Sequence, residues 1–169
     1  MVKPAGSVST EDFKAAMASF AAGVTIVTTL DRGGRPAALT ATAFSSLSAT
    51  PPLCLVCVNK RASAHAALRE RRRFAVNVLC AAQAALSAKF AAKSADKFAD
   101  VAWRPGSLTG CPIIEGALSR FECELVEVYD GGDHDIFVGA LLSVEVSDGK
   151  PLVYWRGDYA SLRRPDAHS

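Results

Sequence analysis

The amino-acid sequence predicts a mainly β protein, a closed antiparallel barrel with a few short helices that cover its openings. Runs of β-branched and aromatic residues recur along the 169 residues, and glycine-rich turns separate several of them. Helical stretches are few and do not alternate regularly with the strands, which disfavours a doubly wound parallel sheet. Because closure removes the exposed edges of an antiparallel sheet, a barrel is the expected arrangement.

The first third of the chain predicts one helix followed by a hairpin. Ser9 and Asp12 have the spacing of a capping box, so a helix should begin there, run to about Phe20 and stop near Gly23. β-branched residues lie on both sides of the segment DRGGRP, which predicts a hairpin with Gly33 and Gly34 in its turn. Residues 39–48 continue as a strand.

The rest of the chain predicts five further strand regions and two helices. Two prolines open the strand over 51–59, where a missing N–H donor is tolerated. Helical character covers residues 62–72 and the alanine-rich residues 81–93. Strand character covers 72–80, 121–130, 134–146 and 151–159, and the segment DGGD makes the turn between 121–130 and 134–146.

Length and composition predict one globular domain over residues 1–169, with polar tails at about 1–8 and 161–169. Half of the residues are hydrophobic and 21% are charged, as in folded proteins, and the net charge of +2 gives no reason to expect a nucleic-acid partner. No apolar run reaches the roughly 18 residues of a membrane span, and the N-terminus lacks the apolar core of a signal peptide. We therefore expect a cytoplasmic protein without a membrane partner.

The five cysteines predict neither a metal site nor a redox pair. Cys54 and Cys57 form a C-x-x-C, but it lies in a predicted strand, where positions three apart face opposite sides. Buried free thiols are the expected state.

Three polar stretches are candidate binding regions, and none of them matches a Rossmann or P-loop signature. Residues 39–48 carry Thr40, Thr42, Ser45, Ser46 and Ser48; such small side chains leave the backbone open to read the edge of a flat heterocycle, although an ordinary edge strand would look the same.

The second stretch is a strand end that leads into a helix. Asn59, Lys60 and Ser63 surround the predicted helix start, a place that favours a phosphate, but an ordinary capped helix would also explain Ser63. The third stretch is the turn before residue 134. His134 lies there among glycines and aspartates without a partner nucleophile, so hydrolysis is not indicated, and a polar turn between strands is the simple alternative.

Taken together, these stretches resemble the short-chain flavin reductases, the reductase components of two-component flavin-dependent monooxygenases. The resemblance runs from about Phe13 to Tyr159. It is carried, in this order, by FAAGVTIVTT, ALTATAFSSLSATPPLCLVCVNKRASA, RRFAVNVL, LSAKFAAKSADKFA, CPIIEGALSRFECELVEVYDGGDHDIFVGAL and LVYWRGDY.

The resemblance implies a fold, an activity and partners. The fold is the FMN-binding split barrel, a closed antiparallel Greek-key barrel. The activity is reduction of FAD or FMN by NADH, with NADPH as the alternative donor, by a homodimer that supplies reduced flavin to a partner monooxygenase. The segment AAKSADKFA is similar to reductases of aromatic polyketide and other antibiotic pathways, which favours a biosynthetic partner.

The resemblance also assigns site residues. The isoalloxazine would lie against Ala38, Leu39, Thr40, Ala41, Thr42 and Ala43, with Ser45 nearby. The ribityl-phosphate region would be held by Asn59, Lys60, Ser63 and Ala64, and the flavin site completed by Lys89 and Phe90. The nicotinamide nucleotide would contact His134, Arg156 and Tyr159. Many relatives have Asn-Ser where this chain has Thr42-Ala43, so backbone contacts are expected there.

This assignment is consistent with the residues that the chain offers. Hydride transfer between nicotinamide and flavin is chemistry of the cofactors, and the protein needs to stack the two rings at about 3 to 3.5 Å. No acid–base pair is required. An FMN-bound split-barrel oxidase with its own substrate and a non-catalytic flavin-binding protein remain as alternatives, and FAD is favoured over FMN only by the resemblance.

Overall fold

A computed structural model describes residues 8–94 and 96–163 as a mainly β fold. The helices of this part are α1 (Thr10–Ala18), α2 (His65–Arg71) and α3 (Ala84–Ala91), and a 3₁₀ turn (Ala81–Gln83) precedes α3. The strands are β1 (Ala22–Gly23), β2 (Thr25–Leu30), β3 (Pro36–Ala41), β4 (Phe44–Ala49), β5 (Pro52–Asn59), β6 (Arg73–Val78), β7 (Trp103–Pro105), β8 (Pro112–Ile114), β9 (Ser119–Asp130), β10 (His134–Val146), β11 (Val153–Trp155) and β12 (Asp158–Ala160). Most of the predicted polar tails lies outside the described residues.

The main sheet has seven strands in the order β3-β2-β6-β9-β10-β5-β4, and every neighbouring pair is antiparallel. The predicted closed barrel is not confirmed, because β3 and β4 are the two edges of this sheet and no ladder joins them. Only Thr42 and Ala43 separate the end of β3 from the start of β4. The sheet must therefore curl until its two edges lie within the reach of a two-residue link.

The prediction of one strand over residues 39–48 is wrong for this reason. The stretch ends one edge strand and begins the other, and the chain breaks from extended pairing at Thr42 and Ala43. The Ala43 carbonyl accepts a hydrogen bond from the Cys57 amide at 2.9 Å, which fixes the link to β5. The break between β3 and β4 follows from the order of the strands in the sheet, which is not a local property of the sequence.

The predicted cap of α1 is confirmed, while its end is shorter than predicted. The Ser9 hydroxyl accepts a hydrogen bond from the Asp12 amide at 2.9 Å. The helix ends at Ala18 rather than Phe20, and Gly23 lies in β1 rather than in a helix stop. The β2–β3 hairpin forms as predicted, with Gly34 at a φ of +77° in its turn.

The β9–β10 hairpin is the longest element and also forms as predicted. Its ladder runs from Asp135–Asp130 to Val146–Ser119 and is interrupted by two register shifts, one of them at Val138/Gly139. Such bulges increase the local twist, which helps a long hairpin to curl with its sheet. β10 also pairs with β5, so that His134 lies opposite Asn59.

Of the three clusters of buried side chains among the described residues, two are large. One lies under the main sheet and contains Val56, Phe74, Leu125 and Phe137. The other contains Ile26, Leu79 and Phe90 and packs α3 against β2 and β3. The second cluster places the C-terminal end of α3 beside the free edge of β3.

Smaller elements surround the sheet. β1, β11 and β12 form a three-stranded sheet, and β7 pairs with β8. None of the described helices combines the length and the apolar character needed to cross a lipid bilayer.

Candidate functional site

A cleft with a volume of about 630 Å³, the first cleft, opens between β3, the end of β5, the end of α3 and the start of β10. The predicted residues that line it are Leu39, Thr40, Ala41, Thr42, Ala43, Asn59, Ser63, Phe90 and His134. Four segments far apart in sequence therefore meet in one place. The residues predicted for the two ligands share this cleft, with the exceptions described below.

One wall is the free edge of β3 and its link to β4. The Thr40 hydroxyl donates to the Ser87 carbonyl of α3 at 2.8 Å, so it fixes the strand to the helix. Ala38 is buried behind the wall, and Ser45 is exposed on β4 and does not line the cleft. Small side chains on an unpaired strand edge leave backbone groups accessible to a ligand, as the sequence predicts.

A second wall is the turn after β5. The Asn59 side-chain oxygen accepts a hydrogen bond from the Arg61 amide at 2.8 Å, which shapes the turn. Ser63 makes no capping hydrogen bond, because the N-cap position of α2 is Ala64. The ordinary-cap explanation of Ser63 is therefore wrong, and its side chain lines the cleft. Ala64 is buried.

Lys60, in contrast, points away from the cleft. Its Nζ donates to Asp130 Oδ1 at 2.8 Å and to the Gly132 carbonyl at 2.6 Å, and lies 3.5 Å from Asp135 Oδ1. Its amide donates to the Asp133 carbonyl at 3.0 Å. Lys60 thus fastens the β9–β10 turn to the end of β5, and the side-chain hydrogen bond with Asp130 raises its pKa.

The third wall is the C-terminal end of α3 and the segment after it. Phe90 is buried and packs edge to face on Phe98, with 5.0 Å between ring centroids. Lys89 lies outside the cleft and donates to the Ala99 carbonyl. The cations at this wall are Lys93 and Lys97. Lys97 Nζ donates to the Phe90 carbonyl at 2.8 Å, and burial lowers the pKa of Lys97.

His134 stands at the rim of the first cleft. Its Nδ1 is 2.8 Å from Asp133 Oδ1, and its side chain is 41% exposed. The hydrogen bond with His134 lowers the pKa of the Asp133 carboxyl, which therefore stays ionised. With Nδ1 held by this carboxylate, the other ring nitrogen is left to face a ligand.

Arg156 and Tyr159 do not meet His134 in the first cleft. Arg156 lies in the turn between β11 and β12, where its guanidinium stacks on the Trp155 ring at 4.8 Å, and the Tyr159 ring of β12 packs against Tyr154. The Arg156 amide donates to the Ala18 carbonyl at the end of α1. Neither residue lines the cleft.

The lining of the first cleft is positively charged. Arg61, Lys93 and Lys97 line it, and no aspartate or glutamate of the described residues does. An apolar floor with surrounding cations suits a flat aromatic ring with an anionic tail. Among residues 8–94 and 96–163, no three His, Cys, Asp or Glu side chains are grouped so that they could hold a metal ion.

A second cleft of about 490 Å³ adjoins the first one. Ser63, Ser94 and Lys97 line both clefts and form the boundary between them. The second cleft continues along Pro36, Ala37 and Phe98 to the Asp31–Arg35 ion pair of the β2–β3 turn.

The sequence reasoning missed part of this site. Arg61, Lys93, Ser94 and Lys97 were not assigned, although they lie within the segments NKRASA and AAKSADKFA that carry the resemblance. The available signal was that polar residues interrupt the alanine-rich stretch in AAKSADKFA.

Comparison with known proteins decides the family. Residues 17–163 match the family described as flavin reductase like domain. The chain belongs to this flavin reductase family. A family member from Kitasatospora aureofaciens, a flavin reductase (NADH), is 42% identical over 160 residues, which cover 92% of this chain and 83% of the relative.

Two further family members cover the chain equally well. The reductase subunit HsaB of a flavin-dependent monooxygenase from Mycobacterium tuberculosis is 39% identical over 153 residues, 89% of this chain and 81% of the relative. The solved structure of the Streptomyces globisporus NADH:FAD oxidoreductase SgcE6, in complex with NAD and FAD fragments, superposes with a TM-score of 0.87 at 35% identity and covers 94% of each chain.

Proposed function

We propose that this protein is an NADH-dependent flavin reductase that transfers a hydride from NADH to FAD or FMN and supplies the reduced flavin to a partner monooxygenase. The carrying observation is the first cleft, where the free edge of β3, the cations Arg61 and Lys97 and the rim histidine His134 meet. Among the described residues, its lining offers no carboxylate and no paired nucleophile and base, so it fits a reaction whose chemistry belongs to the bound cofactors.

The residues of the cleft act by binding and orientation. Backbone groups of residues 39–43 would hold the flat ring of the flavin, and Ser63, Arg61 and Lys97 would take its phosphate. When bound, the flavin supplies the atom that accepts the hydride. His134, with Nδ1 held by Asp133, would donate or accept a hydrogen bond at the nicotinamide and orient its ring over the flavin.

Relatives support the wider role. They are reductase subunits of enzymes such as a flavin-dependent monooxygenase, and one is a flavin reductase (NADH). We also propose that the curled sheet is the split barrel of this family. Arg156 and Tyr159 do not line the first cleft, so they would contact the nicotinamide nucleotide only once it has bound. The single domain, the cytoplasmic location and the biosynthetic partner stay predictions.

We propose a homodimer as the working form. Exposed apolar side chains support it: Leu47 is 49% exposed, Val144 50% and Val146 74%. Val144 lies opposite Phe121 in the β9–β10 ladder, and Phe121 stacks on Phe44 of β4 at 5.9 Å between centroids. Phe44 and Phe121 are half-buried against the core, whereas Leu47, Val144 and Val146 are exposed. We call Leu47, Val144 and Val146 the outer apolar patch; exposed apolar side chains of this kind are typical of an interface.

The deciding experiment follows the loss of NADH absorbance after the purified protein is mixed with NADH and free FAD or FMN under air. We expect rapid NADH oxidation that depends on added flavin and produces hydrogen peroxide from the released reduced flavin. NADH oxidation no faster than the protein-free control would overturn the proposal.

His134→Ala makes the experiment specific for the site. It should lower kcat/KM for NADH about tenfold, the effect of one lost hydrogen bond of about 1.4 kcal/mol, and leave flavin affinity unchanged. Weakened flavin binding with an unchanged hydride-transfer rate would instead place His134 on the flavin.

A further inference from the structure

We propose that Asp135 is a positioning residue that aligns the flavin side of the first cleft with its nicotinamide side. The inference rests on the proposed function, which assigns Ser63 to the flavin phosphate and His134 to the nicotinamide. Hydride transfer needs the two rings at a fixed distance and angle, so tight binding of each ligand is not sufficient. The segments that carry the binding residues must also be held relative to each other.

Asp135 is a buried carboxylate outside the lining of the first cleft. Its side chain is 5% exposed, and it follows His134 in β10. Because successive side chains of a strand point to opposite faces, Asp135 points away from the face that carries His134. Its influence on the site therefore passes through the side chains that it contacts, not through contact with a ligand.

Three basic side chains surround this carboxylate. Asp135 Oδ2 accepts hydrogen bonds from His65 Nε2 at 2.8 Å and from Arg69 Nη1 at 3.1 Å, and Oδ1 lies 3.5 Å from Lys60 Nζ. Burial opposes ionisation of Asp135, but the hydrogen bond from His65 and the charge of Lys60 outweigh burial and lower the pKa of the carboxyl. We call Lys60, His65, Arg69 and Asp135 the Asp135 cluster.

The Asp135 cluster joins the segments that form the walls of the first cleft. Its members lie one or two positions from residues that line the cleft: Lys60 lies between Asn59 and Arg61, His65 follows Ser63 by two positions, and Asp135 follows His134. The hydrogen bonds from His65 and Arg69 connect α2 to β10. A shift of α2 relative to β10 would therefore move the proposed phosphate contacts relative to the proposed nicotinamide contact.

His65 is the most strongly constrained base of the Asp135 cluster. Its side chain is 14% exposed, and its ring packs edge to face on Phe137 of β10 with 5.4 Å between centroids. Arg69 is 58% exposed, and Lys60 also bonds to Asp130 in the β9–β10 turn. Because a buried carboxylate is costly to leave without its hydrogen-bond donor, the contact between His65 and Asp135 fixes the start of α2 on β10.

The test measures hydride transfer and ligand affinity separately. Anaerobic stopped-flow mixing of the flavin-loaded protein with NADH gives the limiting rate of flavin reduction and the Kd of NADH, and fluorescence titration gives the Kd of the flavin. Asp135→Asn should lower the limiting rate between about tenfold and a hundredfold, the effect of a misplacement of about 1 Å. Both Kd values should stay within about threefold, because the residues proposed to bind each ligand are unchanged.

Two variants of His65 test whether the hydrogen bond does the positioning. His65→Ala should lower the limiting rate as Asp135→Asn does, whereas His65→Gln, whose amide can still donate to Asp135, should recover most of the rate. Glu70→Gln is the matched control, because it removes a carboxylate from the same helix whose partner is the exposed Arg32, 2.8 Å away, and not β10. Glu70→Gln should leave the limiting rate and both Kd values unchanged.

Other outcomes overturn the inference. A folded Asp135→Asn protein with the wild-type limiting rate and a lower unfolding temperature would show that Asp135 serves stability alone. Loss of affinity for one ligand with an unchanged limiting rate would assign the cluster to the binding of that ligand. If Asp135→Asn does not fold, equal limiting rates for His65→Ala and His65→Gln decide against positioning. Absence of flavin-dependent NADH oxidation by the wild-type protein would be the failure of the proposed function itself, and the inference would fall with it.

Discussion

The neighbouring residues Asn59 and Lys60, at the end of β5, have different roles. Asn59 lines the first cleft, whereas the Lys60 ammonium lies on Asp130 and the Gly132 carbonyl in the β9–β10 turn. The family pattern placed both residues at the flavin phosphate. Sequence alone predicts the turn but not the direction of the side chain, because that direction depends on β10 pairing with β5.

Lys60→Gln should therefore affect the nicotinamide side. Loss of the ammonium frees the turn that carries His134, so we expect KM for NADH to rise several-fold while the Kd of the flavin stays within twofold. Steady-state kinetics and flavin titration measure the two effects separately. Arg61→Gln, which removes a charge from the next residue and from the first cleft, should do the reverse. Weaker flavin binding by Lys60→Gln would instead support the predicted role of Lys60 at the flavin phosphate.

Glu122 is a buried carboxylate that organises the loop after β7. Its Oε2 accepts hydrogen bonds from the Thr109 amide and hydroxyl, both at 2.7 Å, and from the Leu108 amide at 3.0 Å. Burial opposes ionisation of Glu122, but these donors outweigh burial and lower its pKa. The ionised form therefore stabilises the fold, and protonation removes that stabilisation.

Glu122→Gln should lower the free energy of unfolding at pH 7 by about 1–3 kcal/mol, because an amide cannot satisfy all of these donors. The folded-state pKa lies below the unfolded value of about 4.3, so the contribution is complete above that value and declines as the pH falls through the folded pKa. Urea unfolding at pH 7 and at more acidic pH should show the difference between wild type and variant shrinking. A difference that stays constant with pH would contradict the role of the charge.

At the level of elements, local sequence patterns predicted hairpins well and long-range partners poorly. The β2–β3 and β9–β10 hairpins form around their glycine-rich turns because turn chemistry is local. The break at Thr42 and Ala43 could not be predicted, since nothing local distinguishes it from an edge strand. It follows from the positions of β3 and β4 at opposite edges of the sheet.

Gly139 links the packing of β10 to the core. A Cβ built there would overlap the ring of buried Phe74, 2.8 Å from its Cε1 and 3.2 Å from the Cys123 Cβ. Gly139→Ala should therefore destabilise the protein by about 1–3 kcal/mol, a typical cost of overpacking. Gly23→Ala, at a strand position with no atom within 4 Å, is the control and should be nearly neutral. Equal thermal unfolding temperatures for the two variants would refute the packing argument.

At the level of the whole molecule, the site assembles from segments that the sequence keeps far apart. The small side chains of residues 39–43 and the polar residues Asn59, Ser63 and His134 were predicted one segment at a time, and the fold brings them to one cleft. Only the resemblance to the family predicted that these segments form one site; the local chemistry of each segment did not. The second cleft could not be predicted, because it exists only where the segment after α3, β3 and the β2–β3 turn approach each other.

The oligomeric state is testable on the outer apolar patch. We expect sedimentation to give twice the mass of one chain, and Val144→Asp to give a single chain because a charge would be buried in the interface. Leu108→Asp, at a residue that is 50% exposed and outside the patch, should leave the dimer intact. A wild-type protein that sediments as one chain would contradict the proposed homodimer.

The pairing of Asn59 with His134 across the β5–β10 ladder has a consequence for mutational tolerance. The residue proposed for the flavin and the residue proposed for the nicotinamide sit on adjacent strands, about 4.8 Å apart in the backbone. Substitutions elsewhere on the surface leave that spacing unchanged. A single-residue insertion or deletion in either strand would shift the register and move one ligand relative to the other. We therefore expect length changes within β5 or β10 to abolish hydride transfer.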